Sequence, residues 1–222
     1  MTGARRRHTD RRERIPRAER VEAMRLRLME AVIWCIADKG YAATSTNDVV
    51  RRAKVSRGAL AHHFPTKAAL VNAAAGHLVD KRAADFESRM ARLDPEDRTP
   101  LAALDILWSF YEQPECRALM ELSIAARHDS ELRALMANWD DVYGEILLRS
   151  AGQAIPDMAA KPHAAVLLRT VTAVYDGLGL YDMTQQTQRE RVAEVRAYFI
   201  AMLTQLEPAM GSGIPERGSD HD

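Results

Sequence analysis

Only two cysteines, Cys35 and Cys116, occur in 222 residues. They lack a CxxC spacing, so they form neither a disulfide framework nor a zinc motif. The expectation is a reducing, cytoplasmic compartment. Cys35 lies in the apolar run AVIWCIA, where a buried thiol acts as a small hydrophobe. The seven histidines offer no HExxH pair and no carboxylate–histidine spacing, and no glycine-rich phosphate loop is present. His62 and His63 are adjacent, so on a helix they point about 100° apart and cannot form a metal pair. His77, His128 and His163 fall on separate predicted helices. Catalysis, metal binding and cofactor binding are left without candidate residues. No apolar run approaches the roughly 18 residues of a membrane span. The arginine-rich start lacks the apolar stretch of a secretory signal. No segment alternates with period two for long enough to make a strand. The expected class is all-α.

The chain also lacks net charge, with 31 Lys+Arg against 31 Asp+Glu, but the balance hides a split. Residues 1–67 hold 16 basic and 7 acidic side chains, a formal +9; residues 68–222 carry the opposing −9. An asymmetry of this size points one end of the molecule at a polyanion and turns the remainder away from it. Residues 1–17 contain seven arginines and few apolar residues, and read as a flexible basic arm.

Helical patterns fill the rest. Val21, Met24, Leu28, Ala31, Val32, Cys35 and Ile36 give one apolar face over Ala18–Lys39, which Gly40 stops. Ser45 caps a short helix over Thr46–Ala53, with Asp48 three residues on in a near capping box. Ser56 caps a third, with Leu60 and Phe64 inward, and Pro65 ends it. A long fourth helix runs from Thr66 to about Leu93. Leu101, Leu104, Leu107, Trp108 and Tyr111 predict a fifth. A sixth runs from Pro114 to about His128. Leu132 to Ile146 marks a seventh, Pro162 opens an eighth, and Val192 to Leu206 forms a ninth. Residues 207–222 read as a loose tail.

The stretch YAATSTNDVVRRAKVSRGALAHHFPTK carries the chemistry. Two short helices joined by Ala53-Lys54-Val55-Ser56 present the second helix's start to the outside, where a major groove would accept it. Arg57 suits either a bidentate pair with guanine or a phosphate. Gly58 and Ala59 let the backbone approach base edges, and Ala59 can touch a thymine methyl. His62 and His63 can donate to phosphate or sugar oxygens. Lys67, in the first turn of a helix, opposes the dipole. A nearby phosphate would explain it; the alternative is a solvated surface lysine.

Over about Ala31–Leu70 these residues resemble the helix-turn-helix of the TetR (tetracycline-repressor) family. The resemblance rests on Gly40-Tyr41, Ala43-Thr44-Ser45, Asp48-Val49-Val50, Ala53-Lys54-Val55-Ser56, Gly58-Ala59-Leu60 and His62-His63-Phe64-Pro65-Thr66-Lys67 in order. It implies an operator-binding domain at 18–67 and a helical ligand-binding and dimerisation domain at 68–206. The partners implied are double-stranded operator DNA, a small-molecule effector and a second copy of the chain, joined through the last two helices. Ser45, Thr46 and Asn47 would then sit near the DNA backbone, beside Ser56. The sequence departs from the family at Lys54, commonly glycine, and at Ala61, commonly a backbone-contacting tyrosine.

For the effector chamber the resemblance points to the middle helices. There Trp108, Tyr111, Met120 and Met136 are candidate walls, with Trp139, Tyr143 and Tyr175. Apolar walls with a few hydroxyls suit an apolar or aromatic molecule better than a highly charged one. Such a ligand would act by population shift, tilting the fourth helix, the direct covalent link to the head. A DNA-binding protein without an effector would carry the same head, and is the competing reading.

Overall fold

The computed structural model describes residues 16–184 and 189–206. The tail and all but the last residues of the predicted arm lie outside the described residues. Ten α-helices occur among those described: α1 (Arg17–Lys39), α2 (Thr46–Ala53), α3 (Arg57–His63), α4 (Lys67–Ala91), α5 (Pro100–Ser109), α6 (Pro114–Ala125), α7 (Ser130–Ala154), α8 (Pro156–Ala159), α9 (Ala164–Thr184) and α10 (Arg189–Leu206). The class is all-α, as the periodicity predicts.

Local chemistry sets most of the boundaries. Gly40 ends α1 with a positive φ of 81°, and its amide returns to the Ile36 carbonyl. Ser45, Ser56, Thr66 and Thr99 each cap a helix by accepting a backbone N–H three residues on. Pro100, Pro114 and Pro156 occupy first positions, where the missing N–H has no helical partner to lose.

Pro162 breaks that pattern. The predicted eighth helix begins not there but at Ala164, where the Leu167 amide first reaches the His163 carbonyl. Pro162 sits instead in the turn after α8, a one-turn helix that periodicity did not reveal.

Two apolar clusters hold the fold. The first joins Leu28, Val32 and Ile36 of α1 to Val49, Leu60, Phe64, Leu70 and Val71, and it also takes in Ala118 and Leu122 of α6. The front helices are therefore packed onto the body through α1 and α6 as well as tethered by α4. A Cβ at Gly40 would lie 3.0 Å from the Glu121 carboxylate of α6, which shows how close that approach is. Val21, expected on the inner face, is exposed, while Met29 and Ile33 join the buried set. The second cluster gathers Phe86 and Met90 of α4 with Ile106, Leu107, Tyr175 and Phe199. Both thiols are buried; burial raises the Cys35 pKa and pushes Cys116 up to about 11, so neither is a ready nucleophile.

Lys54 is the non-glycine residue in the left-handed region among those described, with φ 53° and ψ 49°. An L side chain there costs roughly 1–2 kcal/mol. Glycine removes that strain but loses roughly 0.4–1 kcal/mol through a freer unfolded chain. Lys54→Gly is therefore expected to stabilise by about 0.5 kcal/mol, read as a higher urea midpoint at unchanged slope.

Candidate nucleic-acid interface

α2 and α3 meet through Lys54 and Val55, and half-buried Val55 packs against the first core at the angle between them. The inner faces, Val49 with Ala53 and Leu60 with Phe64, are buried. The opposite face of α3 is left to solvent, with Arg57, Gly58, Ala61 and His62 exposed and Ala59 and His63 half-buried. Ser45, Thr46 and Asn47 are exposed at the start of α2. The sequence-predicted contact residues thus lie at two neighbouring helix starts and along one short helix.

Arginines of α1 hold this unit from behind. Arg27 Nη2 donates to the Ala53 carbonyl at 2.5 Å, satisfying the end of α2. Arg25 donates to the His63 carbonyl at 3.5 Å and lies 4.6 Å from the Phe64 ring centroid. Both α2 and α3 are thus pinned at their C-terminal ends, leaving their starts outward.

Gly58 answers to nothing inside the protein. A Cβ there would meet only the Ser56 hydroxyl, at 3.9 Å. Its smallness leaves room on the outer side, which is what close approach to a base edge needs.

The polar groups divide between structural and outward duty. The Ser45 hydroxyl donates to Asp48 at 2.7 Å and accepts the Asp48 amide at 3.2 Å, while the Ser45 amide donates to Asp48 at 3.0 Å. The near capping box is complete. The Lys39 ammonium at 2.8 Å, then Ser45, hold the Asp48 carboxyl well below the usual carboxylate range. That cap contributes stability above the ordinary carboxylate pKa and loses it as pH falls through the lowered native value. Ser56 Oγ accepts the Ala59 amide at 3.1 Å, and its hydroxyl proton remains available to a phosphate.

Lys67 differs from expectation. Its ammonium donates to the Tyr41 carbonyl at 2.7 Å and lies 3.9 Å from the Tyr41 ring centroid. Burial pulls its pKa down, with Asp129 opposing. An internal carbonyl and a ring face therefore account for a lysine at the start of α4 without any phosphate. Lys67→Ala is expected to destabilise the fold by about 1 kcal/mol whatever it does to DNA binding, measurable by urea unfolding. Exposed Lys54, singled out from sequence only as a departure, adds a cation at the α2–α3 turn. The glycine common at that position in the family is the sequence signal for its left-handed conformation.

The body departs further from the expected chamber. Trp108, Tyr111 and Tyr175 pack on one another with ring centroids 5.1–5.7 Å apart, and none of them borders the two spaces described below. Tyr175 is wholly buried and donates to the Leu104 carbonyl at 3.3 Å. Large aromatics at helical spacing fill the core here, and periodicity alone could not separate that from a wall. Met120, Met136 and Trp139 do line a groove of about 540 Å³ between α4, α6, α7 and α9. Tyr143 lies beside it against Arg82. A second, apolar cavity of about 110 Å³ lies between α4, α5, α7, α9 and α10, bounded by Phe86, Leu104, Leu147, Leu168 and Leu203. None of its walls was picked out from sequence as a ligand contact, because leucines carry no signal that distinguishes cavity from core.

Comparison with known proteins agrees with this geometry. Residues 28–74 match the family described as bacterial regulatory proteins, tetR family. The chain is 35% identical over 121 residues to the HTH-type transcriptional regulator CymR of Pseudomonas putida, covering 54% of this chain and 60% of that protein. It is 32% identical over 165 residues to an uncharacterized HTH-type transcriptional regulator of Mycobacterium tuberculosis, covering 73% of this chain and 84% of the relative. A TetR-family regulator from Rhodococcus sp. shares the fold with a TM-score of 0.67 at 21% identity, over 82% of this chain and 98% of that one. The multidrug binding protein EbrR, solved with imidazole, aligns at TM-score 0.51 and 26% identity, over 79% and 89%. Among the described residues no helix is long and apolar enough to cross a membrane. With an outward-facing α3, an all-helical body and a relative matched over most of its length, the chain belongs to the TetR family of DNA-binding bacterial transcriptional regulators.

Proposed function

We propose that the protein is a homodimeric repressor, released from a pseudo-palindromic operator by a small apolar or aromatic effector. The domains in this reading are 18–67 for DNA and 68–206 for effector and dimer, flanked by the arm and the tail. Arg57, Gly58 and Ala59 face base edges. Ser45, Thr46, Asn47, Ser56, His62 and His63 face the sugar–phosphate backbone.

The observation that carries the effector reading is the course of α4. Val79 and Arg82 border the groove, Phe86 borders the apolar cavity, and the same helix begins at Lys67 against Tyr41 in the head. An occupant of either space presses on the helix that follows α3 in the chain and shares its apolar cluster. α6 provides a second route, since it lines the groove and packs on α1. A ligand that prefers one position of these helices lowers operator affinity by its differential binding energy. The small-molecule binding named for EbrR is in keeping with this reading.

Dimerisation through α9 and α10 is supported by their outward apolar side chains. Val166, Tyr181, Val195, Tyr198 and Met202 are exposed, Tyr198 at 71%. Exposed apolar side chains gathered on the last two helices are in keeping with an association surface, and a twofold dimer doubles the base contacts. Tyr198→Glu is expected to convert a two-chain particle to a single chain in sedimentation at micromolar concentration, with at least tenfold weaker operator binding.

The reading without an effector draws on the self-packed cluster of Trp108, Tyr111 and Tyr175. Titrating a compound library against protein bound to a duplex selected from random DNA separates the two. Saturable release by at least one compound is expected; binding insensitive to every compound favours the second reading.

A further inference from the structure

Arg82, in the middle of α4, is an unusual group to find beneath a groove. Its Nε and Nη2 are fully buried and have no hydrogen-bond partner. The guanidinium is caged by rings, with centroids of Phe110, Tyr111 and Tyr143 at 5.1, 5.5 and 4.6 Å. Ring faces attract the cation, but they do not satisfy N–H donors that project in the guanidinium plane. The Tyr111 ring lies against the guanidinium and its hydroxyl donates to Asp176 at 2.9 Å, but its oxygen accepts from neither Nε nor Nη2. The Tyr143 hydroxyl is a further buried polar atom without a partner. Three unpaired polar atoms on two touching side chains, at a groove that Arg82 itself lines, leave a position for something the chain does not supply.

Nε and Nη2 together are the side-on fork of a guanidinium. Two parallel N–H bonds at that spacing match the two oxygens of a carboxylate. The buried Tyr143 hydroxyl, on a ring whose centroid lies 4.6 Å from the guanidinium carbon, offers a third donor. The rest of the groove is walled by Leu119, Met120, Met136, Trp139 and Leu180, which suits an apolar body. Asp140 and Asp176 border the same space and disfavour a second negative charge on the ligand.

We infer that the groove between α4, α6, α7 and α9 binds a monocarboxylate with an apolar body, its carboxylate seated on Arg82 Nε and Nη2 and on the Tyr143 hydroxyl. This rests on the effector reading above and names its chemical class. Because the fork is buried, the carboxylate reaches it only when the groove's flexible lining moves. Met120 and Met136 are the adaptable parts of that lining. Met120 rides on α6, which packs on α1, so seating the ligand displaces an element tied to the head.

The test uses the full chain with benzoate, 4-phenylbutyrate and octanoate, each paired with its uncharged amide. Thermal shift and calorimetry report binding, and the selected operator duplex reports release. At least one carboxylate is expected to bind saturably while its amide binds at least tenfold more weakly. Arg82→Gln is expected to lose that preference while still binding operator. Should Arg82→Gln not fold, Tyr143→Phe removes only the hydroxyl and is expected to weaken the carboxylate several-fold without changing the amide. The inference is overturned if no carboxylate of the panel binds. Equal binding of acids and amides overturns it too, as does unchanged preference in the variants that fold. A neutral compound that alone releases DNA sinks this inference but leaves effector control standing. A carboxylate that needs Arg82 to bind yet never releases DNA does the reverse.

Discussion

Arg57→Ala will bind its best operator about 30-fold or more weakly than the parent protein and will discriminate less between operator variants. Arg57 opens α3, is exposed, and sits beside Gly58, where no internal contact demands glycine. A bidentate arginine–guanine pair contributes roughly 1–3 kcal/mol of discrimination. Two copies in a dimer double that, and each 1.4 kcal/mol is about tenfold. An arginine on phosphate would leave a different signature, with all sequences weakened alike and the salt dependence flattened by about one unit for each phosphate no longer neutralised. Fluorescence anisotropy against the operator and its single-base variants at two salt concentrations separates the two. Binding indistinguishable from the parent protein would remove Arg57 from the interface.

Tyr175→Ala will lose roughly 3–5 kcal/mol of stability, the range for emptying a buried aromatic site. The side chain is wholly buried, meets Trp108, Tyr111 and Phe199 edge-on, and donates to the Leu104 carbonyl. Arg196, 5.8 Å from its ring and paired with Asp105, would lose part of its packing as well. Against a total of roughly 5–15 kcal/mol for a domain, such a loss leaves a marginal fold. Tyr175→Phe keeps the ring packing and is expected to cost about 1 kcal/mol, the usual net worth of one hydrogen bond. Chemical unfolding measures both. If Tyr175→Ala were tolerated within about 1 kcal/mol and instead broadened the range of bound compounds, Tyr175 would be a chamber wall, as the sequence suggested.

The front third was the most legible part of the chain, for a physical reason. Caps such as Ser45 and Ser56 act within three residues, so sequence shows both donor and acceptor. The helix-turn-helix is likewise a local motif. What sequence could not show was non-local. The packing of α1 on α6 depends on which apolar face meets which, and a leucine stripe does not name its partner. Lys67 looked anomalous only because its acceptor, the Tyr41 carbonyl, lies 26 residues away. Of the proposed aromatic walls Trp139 borders the groove while Trp108, Tyr111 and Tyr175 pack on one another, because stripes at helical spacing fit core and chamber equally. Arg82 stands in the charged run Asp80-Lys81-Arg82, which reads as a solvated helix face until its nitrogens are found buried.

The claim on which everything else rests is that the outer face of α3 enters the major groove. Methylation interference on the selected duplex with the full chain tests it most directly, because guanine N7 methylation blocks major-groove approach and adenine N3 methylation blocks the minor groove. The account expects interference at guanines in two major-groove patches related by the operator's twofold axis, weakened with Arg57→Ala. Interference confined to adenine N3, or the absence of any bound duplex at low salt, would contradict it.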